Sequence, residues 1–428
     1  MSLNRHPPDL LRILAVVLFW GMIGLLPRPA VGQDTLRHRS LGFYIDEALL
    51  NSPLLKENIN GLGLNRLDSL LNIAVNKPYV QAIGQYLLAP SGANYGFDQS
   101  ATNGGQYTGL IQVNRNLLYR RNLKIQNNLN AALRDSLRNT LRINRNDLER
   151  AVIDYYLIAY QDYQQLTIYG ELVTIFNRQN NVLKDLVRSA IFTQSDYLAF
   201  RVDLQQNEIN YEAAKVQFLQ DLLALNTLCN LPETGLVHLD KPALSPRYVF
   251  SLDDNPYLLR YRFDSLIVER NRRVIDIFYR PALDFVVNAG TNAISIDQIT
   301  HRLGYSVGLA FVMPIYNGGQ RRLQYNKLDV SQRTIQNYRA QYINRYNLRL
   351  RTITEQLRVN QTLVGLTERQ TTDVDNLLTI SQARLYKGDM SAIDYLLIVQ
   401  RYITIKLNLT QLLIQRQRLI SEFNYRNF

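Results

Sequence analysis

Cysteine is almost missing from this sequence, and histidine is scarce. Cys229 is the single cysteine in 428 residues. One thiol cannot close a disulfide within the chain, so we expect packing to stabilise the fold and Cys229 to be a buried structural residue. The four histidines are scattered, without the spacing of a metal site: His6, His38, His238 and His301. We therefore expect no metal site.

Phosphate-binding loops and catalytic constellations are also missing. Asn317-Gly318-Gly319 lacks the further glycine and the lysine that nucleotide sites need. No cysteine–histidine set is present. The net charge of +12 comes from Arg and Lys spread among Asp and Glu along helical segments, as on solvated faces. We expect no enzyme activity, no cofactor and no nucleic-acid partner.

Long apolar runs are confined to the N-terminus, where residues 1–32 resemble a secretory signal. Arg5 and Arg12 flank or open an apolar run over Leu10–Leu26, and Ala30-Val31-Gly32 provides small residues for cleavage. The alternative is a membrane anchor, since about 17 residues is the lower limit for spanning. We expect a cleaved signal, export, and no transmembrane helix in the mature chain.

One stretch, Phe311 to Arg322, joins two unlike patterns. Before it, apolar residues alternate with small ones in the period of a strand; the apolar set is Leu303, Tyr305, Val307, Leu309 and Phe311. After it runs a polar helical segment without proline or glycine until Gly365. Pro314 is suited to ending a strand, and Gly318-Gly319 permits a tight reversal. We predict a strand-to-helix turn here.

The chain contains an internal repeat. Asn51-Ser52-Pro53-Leu54-Leu55 recurs as Asp254-Asn255-Pro256-Tyr257-Leu258, and Ser195-Asp196-Tyr197-Leu198 recurs as Ile393-Asp394-Tyr395-Leu396. We predict a first repeat over residues 33–232, a linker or equatorial region over 233–250, and a second repeat over 251–428. Each repeat has a short helix, two strands and a pair of long helices.

Four segments of about ten residues alternate between apolar and polar side chains. We predict strands over about 79–88, 106–114, 282–290 and 303–313. This pattern is typical of membrane-spanning strands, although half-buried strands of a soluble sheet have the same pattern. The Gly/Asn/Ser-rich connection from Ala89 to Gly105 favours loops outside a membrane.

The remaining segments carry seven-residue apolar repeats. One seam is Ile343, Leu350, Leu357, Val364, Thr371, Leu378 and Leu385; the other is Val152, Ala159, Leu166, Val173, Asn180 and Val187. Sustained heptads predict left-handed supercoiling. Helices that turn near 190–195 and 387–393 would be about 65–70 residues, or roughly 100 Å, long.

Four strands cannot close a barrel, and an open edge in lipid leaves backbone groups unpaired. Two chains would give eight strands with little lumen, and three would give twelve around water. We therefore infer a homotrimer.

The chain resembles the TolC-type outer-membrane efflux family. The resemblance rests on Pro314-Ile315-Tyr316-Asn317-Gly318-Gly319, on the two helix starts, and on Tyr386-Lys387-Gly388 through Asp394-Tyr395-Leu396. It covers essentially the whole mature chain. It implies a mixed α/β, mainly α membrane protein: a trimer with a twelve-stranded outer-membrane β-barrel, four strands per chain, continuous with an α-helical coiled-coil tunnel across the periplasm.

The resemblance also implies a function and a location. Such a chain is a passive exit duct in the outer membrane of a Gram-negative bacterium, extending into the periplasm. It works in a tripartite efflux or type I secretion system, through a periplasmic adaptor (membrane fusion protein) and an inner-membrane transporter. Drugs, metal cations and proteins all remain open as cargo.

The resemblance places the pore entrance at the helix turns. The expected constriction comprises Asp394, Asp196, Tyr395, Tyr197, Leu397, Leu385 and Met390. A ring of Asp394 carboxylates would attract cations; the alternative is that both aspartates cap helices. Leu397, Leu385 and Met390 stand where relatives carry acidic or locking residues, which predicts a more apolar gate.

The adaptor is expected to dock at the tip formed by Gly388, Lys387 and Ala190. Gly388 alternatively serves only as a C-cap glycine. In the first repeat Ala190 replaces that glycine, and the joint from Asn116 to Arg121 lacks the proline and glycine pair.

A different class remains possible: a periplasmic coiled-coil scaffold or adaptor without a pore. It accounts for the heptads but not for four alternating strands placed two by two.

Overall fold

The structure, a computed structural model, describes residues 37–90, 94–96, 104–247 and 254–426. The predicted signal, residues 1–32, lies outside the described residues. Helices dominate the described chain. None of the helices in these ranges has both the length and the apolar character needed to cross a membrane.

Within the described ranges, the elements form one four-stranded sheet, one small parallel bridge, three short α-helices and four long ones. In chain order they are β1 (His38–Arg39), α1 (Leu41–Asn51), α2 (Pro53–Val75), β2 (Tyr79–Ala89), β3 (Gly104–Asn116), α3 (Tyr119–Arg188), α4 (Gln194–Leu228), β4 (His238–Leu239), α5 (Pro256–Ile277), β5 (Ala282–Ala293), β6 (Leu303–Val312), α6 (Gln320–Lys387) and α7 (Ala392–Arg426).

The two matching sequence segments are helix starts. Ser52 caps α2 by accepting from the Leu55 amide at 3.4 Å, and Pro53 occupies the first turn. Asn255 caps α5 by accepting from the Tyr257 amide at 3.0 Å, again followed by proline. A capping oxygen before proline suits a helix start because the first-turn N–H groups have no partner within the helix.

The sheet has the order β2-β3-β5-β6, and every pair is antiparallel. One row across it pairs Ala82 with Ile111, Ile111 with Ala289, and Ala289 with Tyr305. Because side chains alternate along a strand, this register places the alternating apolar residues of all four strands on one face.

The opposite face is rich in amide side chains, which hydrogen-bond from strand to strand. Gln81 donates to Gln112 at 2.6 Å across β2 and β3. Asn288 donates to the Ser306 hydroxyl at 3.2 Å across β5 and β6. The sheet therefore has one face suited to lipid and one suited to water.

The four long helices α3, α4, α6 and α7 pack side by side and continue from the sheet; we call them the helical wall. Helix α3 has 70 residues and α6 has 68, as the heptads predict. The 35-residue helices α4 and α7 run back along them. Helices α3 and α7 pack against each other, while α4 packs mainly on α3 and α6 mainly on α7. Helices α2 and α5 cover the part of α3 nearer the sheet.

The two largest apolar clusters among the described residues lie between the long helices. The equatorial core joins α1, α3, α4 and α7, with Tyr44, Val152, Tyr156, Phe218 and Ile414 among its members. Cys229 belongs to it; its thiol donates to the Tyr44 carbonyl at 3.5 Å, and burial raises its pKa to about 12. The tip core joins both helix pairs at the far end and includes Leu172, Phe200, Leu378, Leu385 and Tyr395.

A half-buried aspartate interrupts the seam between α3 and α4. Burial and the nearby carboxylate of Asp221 raise the pKa of Asp162 to about 7, and Arg418 opposes this shift. Asp162 is therefore largely protonated in the folded protein at mildly acidic pH.

Gly290 occupies a position in the sheet that only glycine fits. Gly290 in β5 has φ +152°, and a Cβ there would lie 2.1 Å from the Gly109 carbonyl oxygen and 2.9 Å from the Leu110 Cα. Gly290→Ala should push β5 from β3 and destabilise the protein by about 1–3 kcal/mol, the usual strain of a disfavoured backbone conformation. The measurement is the thermal midpoint of the purified protein.

Gly308→Ala is the matched control, since nothing lies within 4 Å of a Cβ at that position of β6. Equal midpoints for the two alanine variants would contradict the close approach of β3 and β5.

The Asp162 carboxyl predicts a pH dependence. The unfolded chain releases this proton near pH 4, while the folded chain keeps it to about pH 7. The folded state binds more protons in this window, so the free energy of unfolding falls as pH rises through it. Asp162→Asn should raise the thermal midpoint at pH 8 more than at pH 5, whereas exposed Asp68→Asn should not. Equal gains at both pH values would contradict the assignment.

Candidate entrance at the helix tips

The two helix turns have the same backbone. Ala190 follows α3 with φ +57°, and Gly388 follows α6 with φ +77°. Both turns carry a pair of bonds onto the last helical turn: Ile191 N–H to Leu186 O at 3.0 Å and Ala190 N–H to Val187 O at 3.0 Å, then Asp389 N–H to Arg384 O at 2.9 Å and Gly388 N–H to Leu385 O at 3.0 Å. This is a Schellman motif in both places.

The two expected entrance aspartates bond to the cap residues of their helices: Thr193 and Asp196 form a full capping box, and Ser391 and Asp394 share its side-chain bonds. Thr193 caps α4, and its hydroxyl donates to the Asp196 carboxylate at 2.7 Å. The Ser391 hydroxyl donates to Asp394 at 2.7 Å and accepts from the Asp394 amide at 3.1 Å. The helix-start alternative therefore applies to both residues. Asp394 is nevertheless exposed and Asp196 half-buried, so their charge also faces solvent.

Two of the predicted constriction residues are placed differently. Leu385 and Tyr395 are fully buried in the tip core, where they hold the α6–α7 turn against α3 and α4. Their expected position at the constriction is wrong, because both fall on the helix face that packs inside the chain. Tyr197 and Met390 are half-buried against the same core.

The outer surface of the tips is apolar as well as charged. Leu397 is 52% exposed, as a pore-facing residue requires. Lys387 and Ala190 are exposed, and Gly388 lies against Ile191, which a Cβ would approach to 2.8 Å. Ile191, Tyr386 and Ile393 are also exposed. These three were not predicted from the sequence as tip residues, although each stands next to a predicted tip or entrance residue.

Both strand-to-helix joints depend on an asparagine. Strand β6 ends at Val312, before Pro314, and α6 begins at Gln320 after Gly318 and Gly319 with φ +61° and +78°. The Asn317 side chain accepts from the Gly319 amide at 3.1 Å. In the first half, Asn116 accepts in the same way from Leu118 at 2.9 Å. This local turn works without the proline and glycine pair.

The structure also brings two histidines together. His38 and His238 pair across β1 and β4, with ring centroids 4.1 Å apart. The interpretation of four scattered histidines is therefore wrong for this pair. His301 follows β5, and His6 lies outside the described residues.

Comparison with solved structures identifies the fold. The outer membrane protein VceC from Vibrio cholerae matches with a TM-score of 0.73 at 14% identity, covering 90% of this chain and 96% of that chain. The CmeC outer membrane channel of Campylobacter jejuni matches with 0.71 at 12% identity, covering 90% and 85%. The open-state MtrE outer membrane channel of Neisseria gonorrhoeae matches with 0.66 at 14%, covering 90% and 88%.

No protein-family model and no curated protein sequence matches the chain. The resemblance to TolC-type channels is thus confirmed as a likeness of fold across nearly the full length. Because the sequence identities are only 12–14%, this likeness of fold does not assign a role to any individual residue.

The two tips predict opposite effects of reciprocal substitutions. Ala190→Gly should stabilise the tip and Gly388→Ala should destabilise it, each by about 1–2 kcal/mol, because a Cβ is disfavoured at positive φ. Gly388→Ala also presses on Ile191. Hydrogen exchange of the tip amides should slow in the first variant and quicken in the second. Changes in the same direction would contradict the shared turn geometry.

Proposed function

We propose that three copies of this chain form the outer-membrane exit duct of a tripartite efflux or type I secretion system. The observation that carries the proposal is a four-stranded sheet with one apolar face and two open edges. Within the described residues, β2 and β6 each pair on one side only. Strands of 10 to 13 residues are long enough to cross a bilayer.

Strands from other copies of the chain would pair with the open edges of β2 and β6 and so close the sheet into a barrel. An unpaired backbone group in lipid costs several kcal/mol, so an isolated four-stranded sheet is unstable there. Three sheets make a twelve-stranded barrel whose apolar face turns to lipid and whose amide-rich face surrounds water. Leu303, Tyr305, Val307 and Phe311 on β6 are all exposed in the single chain, as lipid-facing residues require.

The helical wall supports the same assembly. The flanking helix α4 exposes an apolar stripe at four- and seven-residue spacing: Leu198, Val202, Ile209 and Val216. The other flank, α6, exposes Val359, Leu366 and Ile380 in one seven-residue series and Leu363 and Leu377 in another. Heptad stripes on both flanks suit packing of α4 from one copy on α6 of the next.

Under this proposal the barrel lies in the outer membrane of a Gram-negative bacterium and the helices extend into the periplasm. VceC, CmeC and MtrE are described as outer-membrane proteins or channels, which supports this location. The tips, with Lys387, Gly388 and Ala190 outermost, would meet a periplasmic adaptor and an inner-membrane transporter. We also propose that the chain consists of two repeats, over residues 33–232 and 251–428, joined by a linker or equatorial region over 233–250.

Asp394 and Asp196 would form two carboxylate rings at the entrance, with Leu397 and the exposed apolar residues beside them. Charge on a ring of this kind selects cations and binds multivalent ones. Because Asp394 also bonds to the cap residue Ser391, its charge must be tested without removing that hydrogen bond.

The test is reconstitution of the purified protein in a planar bilayer. We expect discrete channels, blocked from the tip side by a trivalent cation such as hexaamminecobalt. Asp394→Asn keeps an oxygen that can accept from Ser391 but removes the charge. It should raise the half-blocking concentration by about tenfold, roughly 1.4 kcal/mol. Asp389→Asn, a neighbouring exposed aspartate outside this hydrogen bond, is the control.

The outcomes separate two claims. Channels with unchanged block in Asp394→Asn would reject the carboxylate ring and leave the duct. Absence of channels, together with release of the protein from membranes by carbonate, would favour the pore-less scaffold.

A further inference from the structure

The parallel bridge at the middle of the chain gathers three metal-ligand side chains outside the entrance. His38 lies on β1, His238 lies opposite it on β4, and Asp240 follows β4 directly. The ligand atoms of all three residues lie within 4.8 Å of one another. Nothing in the proposed transport function uses this cluster.

Two of the three separations between ligand atoms lie close to those within a metal coordination sphere. The Nδ1 atom of His38 lies 3.2 Å from Oδ1 of Asp240, and Nδ1 of His238 lies 3.8 Å from the same oxygen. Two ligands bound tetrahedrally at about 2.0–2.1 Å lie about 3.3–3.5 Å apart. A small ion between these atoms therefore needs only slight side-chain movement.

One of the three ligand atoms lacks a hydrogen bond. Nδ1 of His238 is buried and makes no hydrogen bond among the described residues. A buried polar atom without a hydrogen bond costs free energy, and a metal bond to it would remove that cost. This observation is independent of the grouping of the three side chains.

The backbone beneath the cluster is fixed. The His238 amide donates to Arg37 O and the Asp240 amide to Arg39 O, both at 3.1 Å. The hydroxyl of fully buried Tyr156 lies 2.7 Å from Asp240 O and 3.0 Å from Arg39 O. Ligands on a rigid backbone lose little freedom when a metal binds.

The charges around the cluster are compatible with a cation. Arg37 and Arg39 both pair with Glu233, at 3.1 and 2.5 Å, which offsets one of their two positive charges. Asp240 adds the negative charge of the ligand set itself. The His38 side chain is 69% exposed, so an ion can reach the cluster from solvent and keep a water ligand.

We propose that His38, His238 and Asp240 bind a divalent transition-metal ion such as Zn²⁺. Two imidazole nitrogens and one carboxylate oxygen are the donor set that zinc, copper and nickel accept, whereas magnesium and calcium prefer oxygen alone. A water molecule completes four-coordination. The bound ion would cross-link the segment before α1 to the segment after α4.

The experiment uses the full-length protein in detergent, purified without a histidine tag and stripped with a chelator. The probe is Co²⁺, whose visible bands report four-coordination, followed by displacement with Zn²⁺. We expect one Co²⁺ per chain. His38→Gln and His238→Asn should each weaken binding by more than about a hundredfold, because groups that only orient ligands already contribute ten- to a hundredfold.

His301→Gln is the matched control, since it removes a histidine in the β5–β6 connection, outside the cluster, and should leave binding unchanged. Exposed His38 can be replaced without disturbing a core, so this variant decides the test if His238→Asn misfolds. The proposal is overturned if the unchanged protein binds no Co²⁺, if His38→Gln binds as tightly, or if His301→Gln loses binding equally.

Discussion

The assembly that we propose for this chain depends mainly on the unpaired backbone N–H and C=O groups at two strand edges. Strands β2 and β6 each present one unpaired edge within the described chain, on a sheet whose one face is apolar. Water can satisfy such an edge, and lipid cannot. The flanking helices α4 and α6 also expose surfaces suited to a partner, because each carries an exposed apolar stripe at heptad spacing. A single cyclic oligomer of identical chains would pair the open strand edges of the sheet and also cover the apolar stripes of the helical wall.

Much of this architecture follows from local patterns in the sequence. Strand faces could be predicted because a residue such as Ile111 or Tyr305 alternates with small or polar neighbours, and the register then aligns all four strands. The 70-residue helix follows from a heptad repeat over its second half and from the absence of proline along its length. Resemblance to a known family predicted the fold that comparison with solved structures identifies.

The entrance could be predicted only in part, for physical reasons. Asp394 serves as a capping residue and as an exposed charge, and sequence cannot weigh one role against the other. Leu385 and Tyr395 lie on faces whose burial depends on how two helix pairs pack, which heptad spacing alone does not decide. The His38–His238 pair joins residues far apart in sequence through a two-residue bridge too short to carry a pattern.

The claim that copies close the open edges is tested most directly by native mass spectrometry of the full-length protein extracted in detergent. We expect a complex with the mass of three chains, because three four-stranded sheets and three helical walls leave no flank open. A complex with the mass of a single chain, stable across detergents that preserve other membrane assemblies, would contradict it.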